Sequence, residues 1–136
     1  MTRLVSVVAA AITAPDGRIL LAQRPGGTSL GGLWEFPGGK IELGETPEIA
    51  LARELSEELA ISVAPAALMP LGFASHDMDD FHLLLLLFRC RDWAGVAVGQ
   101  QGQALRWEYP DTLAALPMPP ADRPLLPLLA ENIQAV

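Results

Sequence analysis

Glu54, Glu57 and Glu58 recur at the spacing i, i+3 and i+4, which on a helix sets three carboxylates on one face. Such a face is a hard-oxygen site. It suits Mg²⁺, with Mn²⁺ as a substitute, rather than zinc, which prefers nitrogen and sulfur. Mg²⁺ takes few protein carboxylates and completes its shell with water and substrate phosphates, so the pattern points to phosphate chemistry. Six of the chain's 16 acidic residues lie between Gly39 and Ile61, and such crowding calls for a cation to relieve the repulsion. Glu45 and Arg53 are spaced to pair across the site. A solvated acidic face is the commoner meaning of a Glu-rich helix. It does not explain Pro37-Gly38-Gly39 just upstream, read as a turn whose glycines let the backbone approach a metal or a phosphate.

The elements that must hold these groups follow from the flanking residues. Thr46 can cap free N–H groups and Pro47 fits the first helical position, so a helix starts there. Ile49, Leu51, Ala52, Leu55 and Leu59 carry the helical period to about Leu59. Upstream, Val5–Thr13 reads as an apolar strand, Pro15-Asp16-Gly17 as a turn, and Arg18–Arg24 as the return strand of a hairpin. Pro25–Gly32 is a Gly-rich loop. Downstream, Ser62–Ser75 and Phe81–Cys90 read as strands around an Asp-rich loop, His76–Asp80. Gln103–Tyr109 is a further strand, Asp111–Leu116 a short helical piece, and Ala121–Ile133 a closing helix with Pro124 and Pro127 in or before its first turn. Strands and helices without regular βαβ spacing predict an α/β fold, a mixed sheet between helices.

The acidic segment resembles the Nudix box, Gly-x5-Glu-x7-Arg-Glu-U-x-Glu-Glu-x-Gly-U with U aliphatic: Gly39, Glu45, Arg53, Glu54, Leu55, Glu57, Glu58 and Ile61 match it. Ala60 stands where the family has glycine, at a helix end where φ > 0 is often needed. The likeness extends over nearly the whole chain. Leu20–Pro25, Gly32–Glu42 and Pro119-Pro120-Ala121-Asp122 look like the MutT branch, and the CTP pyrophosphohydrolases share Ala-Gln-Arg-Pro and Pro-Ala-Asp with this chain. The resemblance implies the Nudix α/β/α sandwich and a metal-dependent pyrophosphohydrolase acting on a nucleoside triphosphate, such as 8-oxo-dGTP or CTP. The expected products are the monophosphate and pyrophosphate, with 8-oxo-dGTP the leading substrate and CTP or dCTP the alternative. The resemblance also implies Glu57 and Glu58 as principal metal ligands with the Gly38 carbonyl, Glu54 as ligand or general base, and Glu45 and Arg53 as groups that orient and balance them. Related enzymes carry a loop glutamate where this chain has Gln101; an amide oxygen can ligate a metal weakly but cannot accept the proton of water. Asp122 matches a position that hydrogen-bonds the nucleobase; its alternative is a helix cap.

Other candidates rest on the residues alone. Arg24, at a strand end, and Lys40, beside the glycines, are candidate phosphate grips. Phe36 and Phe81 are candidates for stacking on a base, against the alternative of core packing. His76 and His82 stand apart from nitrogen or sulfur partners, which argues against zinc.

Composition sets limits. The 136 residues are expected to form one domain. With a net charge of −7 and no basic run, binding to a DNA or RNA polymer is not expected, whereas a small polyphosphate can bind where a divalent metal inverts the local charge. The Leu83–Phe88 run is far too short to span a bilayer, so no membrane partner is expected. No leader pattern is seen, and the lone Cys90 fits a reducing cytoplasm. Monomer and homodimer stay open. Another Nudix substrate (a dinucleoside polyphosphate, ADP-ribose) and a catalytically silent nucleotide-binding module also stay open at this point.

Overall fold

Two sheets share one core. The computed structural model describes residues 2–27 and 30–129. Strands β1 (Leu4–Ile12), β4 (Gly38–Lys40), β5 (Met69–Asp77) and β6 (His82–Cys90) form a mixed sheet in the order β4-β1-β6-β5. Strands β2 (Ile19–Gln23), β3 (Trp34–Glu35) and β7 (Leu105–Glu108) form a second, antiparallel sheet in the order β3-β2-β7. β1 and β6 run parallel, from Leu4 beside His82 to Ile12 beside Cys90. The continuous apolar runs of both strands fit that place, because a central parallel pair is covered on both faces.

Alternate residues of β1 divide the core. Val8, Ala10 and Ile12 face Ala50, Leu51, Leu55 and Leu59 of helix α1 (Pro47–Leu59). Ala9 and Ala11 face the other way, towards Leu113 of the short helix α2 (Pro110–Leu113) and towards Leu125 and Leu129. The sheet is thus sandwiched between helical layers, as the sequence predicts. Trp93 and Trp107 stack at 6.0 Å and pack against the α1 side of the core. Among the described residues no helix is long and apolar enough to cross a membrane.

Four sequence expectations change. β1 and β2 do not form a hairpin ladder: past the single bridge between Thr13 and Ile19 the strands part into separate sheets. Residues 37–39 are not a turn, since Gly38–Lys40 pairs with β1 and neither glycine has a positive φ. What they require is closeness: a Cβ on Gly38 would run into the Val8 carbonyl and Ala9 Cα. The strand expected from Ser62 begins at Met69, because Pro65, which lacks an N–H, opens a 3₁₀ turn over Pro65–Ala67. Its far end runs on through Asp77, so the acidic loop is shorter than expected. The closing helix begins with a 3₁₀ turn at Arg123–Leu125 and is helical over 126–129; the expected remainder, to residue 133, lies outside the described residues.

Candidate active site

The carboxylate face is built by α1 and β4. Thr46 Oγ1 accepts the Ile49 N–H at 3.3 Å and Pro47 takes the first turn, which fixes where the helix starts and so where its acids point. Arg53 is the hub. Its Nε and Nη2 grip both Glu45 oxygens at 2.7 and 2.8 Å, its Nη1 reaches Glu54 at 2.9 Å and Glu57 at 3.4 Å, and Nη2 also donates to the Lys40 carbonyl. Hydrogen bonds from Arg53 hold the Glu45 carboxyl down at about 2, and Glu45 and Glu54 in turn raise the guanidinium further above its ordinary range. Glu54 lies flat on Gly39, whose absent Cβ would overlap its carboxyl group. The glycine is what lets the side chain lie there.

Glu58 is half-buried. Burial, then the nearby charges of Glu54 and Glu35, push its carboxyl up to about 7, although a backbone hydrogen bond from Gly38 opposes the rise. Carboxyls crowded without a cation between them behave in this way.

Glu58 also borders a cavity of about 560 Å³. Part of its lining is polar, with Arg24, Glu35, Gly38, Gly39 and Lys40, and part is apolar, with Val5, Val7, Phe81, Leu83 and Leu85. Asp122 also lines the cavity, buried and within electrostatic reach of Glu35 and Arg24, and accepts the Phe36 N–H at 3.2 Å. Burial drives its carboxyl up to about 7, despite the Phe36 hydrogen bond. It does not cap the closing turn, since it makes no capping bond there. Phe36 is a core residue that also borders the cavity, and Phe81 lies at the cavity with Arg3 over its ring at 5.8 Å. Arg24 is ion-paired with Glu35 at 2.9 Å.

Comparison with known proteins bears on this arrangement at once. The NUDIX domain family matches residues 8–128. The chain belongs to the Nudix family. It is 41% identical over 121 residues to the CTP pyrophosphohydrolase of Escherichia coli (strain K12), covering 88% of this chain and 87% of that protein. It is 41% identical over 96 residues to the 8-oxo-dGTP diphosphatase of Proteus vulgaris, covering 71% of this chain and 84% of that protein. The solution structure of the E. coli ORF135 protein superposes with a TM-score of 0.86 at 36% identity, over 98% of this chain and 94% of that one. The chain is therefore a Nudix hydrolase of phosphoanhydride bonds. Nudix hydrolases act on small nucleotides and generally use a divalent metal.

The Nudix box carboxylates gather on one helix face, with Glu54 in contact with both Arg53 and Glu58. Glu54 and Glu57 lean on Arg53 while Glu58 faces the cavity. Among the described residues no three His, Cys, Asp or Glu side chains stand close enough to hold an ion as they are. The donors fit a hard cation in kind, being carboxylates, and the raised Glu58 marks where positive charge is wanted. Gln101 lies on a smaller cavity of about 80 Å³ that it shares with Glu58, Gly38, Glu35 and Arg24. Its loop is docked on the end of α1: the Gln100 N–H and the Gln103 side chain both donate to the Glu58 carbonyl.

Two participants escape the sequence reading. Glu35 borders both cavities, and burial raises its carboxyl against the pull of Arg24. In sequence it sits between Trp34 and Phe36, in the stretch that leads into the glycines, with nothing beside it to mark a chemical role. His76, set aside for want of metal partners, lines the apolar cavity; His82 does not, and is bonded instead to Ser75 and Asp77.

Proposed function

We propose that the chain converts a nucleoside triphosphate to its monophosphate and pyrophosphate with Mg²⁺, an oxidised purine nucleotide such as 8-oxo-dGTP being the leading substrate. One observation carries this reading: a single cavity is lined both by apolar side chains and by Glu58, Gly38 and Lys40. A nucleotide laid along it has its base among Phe81, Leu83 and Asp122 and its phosphates at the acidic end.

In this reading Glu57, Glu58 and the Gly38 carbonyl hold the metal, with Glu54 and the Gln101 amide oxygen beside them. A bound divalent cation neutralises phosphate charge and lowers the pKa of a water. Glu54, kept in place by Arg53 and Gly39, is the remaining base, because Gln101 cannot take a proton. Glu45 locks Arg53 and so sets the pose of Glu54. Lys40 and Arg24 border the phosphate end, Arg24 being released from Glu35 to bind. Phe36 backs Asp122 rather than stacking on the base.

Asp122, with a carboxyl near 7, can both accept and donate a hydrogen bond. That pair of roles suits the N–H and carbonyl edge that oxidation gives guanine, and equally the amino and ring-nitrogen edge of cytosine. A second reading, CTP or dCTP, is favoured by the E. coli relative bearing that name over 88% of this chain. Pyrophosphate release from canonical and oxidised nucleotides, with and without Mg²⁺, tests both. The highest kcat/KM on 8-oxo-dGTP supports the first, and the highest on CTP or dCTP supports the second. No metal-dependent turnover on any nucleotide would sink both.

A further inference from the structure

Strands β5 and β6 carry a second constellation on the face away from the nucleotide cavity. Register sets Asp77 directly opposite His82 and Ser75 opposite Leu84, so the diagonal neighbour of His82 is Ser75. Alternation turns Ser75 and Asp77 to the face opposite His76, which lines the cavity. His82 Nδ1 lies 2.5 Å from Asp77 Oδ1, and His82 Nε2 lies 2.5 Å from Ser75 Oγ.

The order of these contacts matters more than their number. A carboxylate can only accept, so in the neutral imidazole Nδ1 carries the proton and Nε2 is left as a bare acceptor. The Ser75 hydroxyl must then donate to Nε2. A serine donating to an imidazole that is oriented by a carboxylate is the arrangement that activates an oxygen nucleophile. A trio that only pinned the hairpin would satisfy its polar atoms just as well with Ser75 shielded. Here Ser75 is exposed, His82 is partly exposed and the Asp77 side chain is 86% exposed, so a reagent can reach the oxygen.

We propose that Ser75 is an activated nucleophile that accepts the acyl group of small activated esters, independently of the nucleotide site. Ser75 Oγ attacks the ester carbonyl as His82 Nε2 takes its proton. The carbon–oxygen bond to the leaving alcohol then breaks, and His82 returns the proton to that oxygen. The acyl group stays on Ser75 until water repeats the cycle, and Asp77 balances the transient imidazolium. The open surface offers no enclosure for a large acyl group, which restricts the substrates to short ones.

The test is incubation of the full chain with p-nitrophenyl acetate, in EDTA, followed by peptide mass spectrometry for acetyl-Ser75. Acetylation of Ser75 should be roughly a hundredfold faster than in His82→Gln, which keeps a polar side chain but lacks the base. Asp77→Asn should fall between them, and Ser75→Ala should lose the site while keeping metal-dependent nucleotide turnover. No acetyl group on Ser75, or equal rates in the wild type and His82→Gln, would overturn the proposal. EDTA removes any metal-dependent reaction, so this result and that of the nucleotide panel fail separately.

Discussion

The two ends of the cavity are built in opposite ways. At the acidic end, Arg53 ties Glu45, Glu54, Glu57 and the Lys40 carbonyl, all within residues 40–57, into one network. In the apolar lining, Val5, Phe81 and Leu83 come from segments far apart in the chain, as does the buried Asp122, which accepts the Phe36 N–H. A redundant local network fixes a reaction. A wall assembled from distant side chains can be retuned one residue at a time.

The acidic end should break hardest. Glu57→Gln is expected to abolish metal-dependent turnover while the far-ultraviolet circular dichroism and melting curve stay close to those of the parent. Glu57 is exposed and outside the core, so folding should not depend on it. Near-normal turnover in that variant would remove Glu57 from the metal site.

Next comes the hub. Arg53→Ala leaves Glu45, Glu54 and Glu57 facing one another without their cation, and should cost 10- to 100-fold in activity, the usual scale for a group that orients metal ligands. It should also lower Tm, unlike Glu57→Gln. An unchanged rate would show that the carboxylates need no such support.

Asp122→Asn probes the other end, and its expected effect is on choice rather than rate. An amide keeps an acceptor and a donor but cannot exchange their places by moving a proton. The ratio of kcat/KM between 8-oxo-dGTP and CTP should shift about tenfold, or about 1.4 kcal/mol, with kcat on the better substrate little changed. The same substitution has a pH signature. Asp122 and Glu58 have folded values near 7, above the ordinary carboxylate range, so between about pH 4 and 7 the native state holds protons that the unfolded chain has lost. Their contribution is full below the unfolded value and is lost as pH rises through 7. Glu45, held down at about 2, works the other way and is lost only as pH falls through the acid range. In EDTA, Tm should therefore decline from pH 5 to 8, and Asp122→Asn should flatten the decline. An identical slope in the variant would contradict the raised Asp122 carboxyl.

What could be read in the sequence follows the same division. The helix start at Thr46-Pro47, the Glu45–Arg53 pair and the αL helix end at Ala60 were all legible, because each is decided within a few residues. The need for glycine at 38 and 39 was legible but its cause was not. The cause is a strand pressed against Val8 and a carboxylate lying over Gly39, and both are tertiary facts. The separation of β1 from β2 was hidden because a turn signal says that the chain reverses, not that the strands pair. Glu35 and His76 were missed for a related reason: their chemistry comes from which cavity they border.

A smaller effect is expected at Gln101, which shares the small cavity with Glu58. Gln101→Glu adds an acid that can hold metal or take a proton, and should leave kcat unchanged or raise it in Mg²⁺. A large loss of kcat would show that the loop plays another part.

The mildest test concerns the one departure inside the Nudix box. Ala60 closes α1 at φ 58 and ψ 31, with its N–H on the Ser56 carbonyl. An L residue with a Cβ is disfavoured in that region by roughly 1 kcal/mol, whereas glycine adopts it freely. Glycine gives back part of the gain because its unfolded chain has more conformations to lose. Ala60→Gly should thus stabilise the fold by about 0.5 kcal/mol, raising Tm by roughly 1–3 °C. Because the Glu58 carbonyl already anchors the 100–103 loop, turnover should stay within about twofold of the parent, about 0.4 kcal/mol in barrier height. A fall in Tm would mean that the αL helix end is relieved in solution; a rise in kcat well beyond that range would mean that the alanine had been displacing Glu58, and that the two ends of the cavity are less independent than their construction suggests.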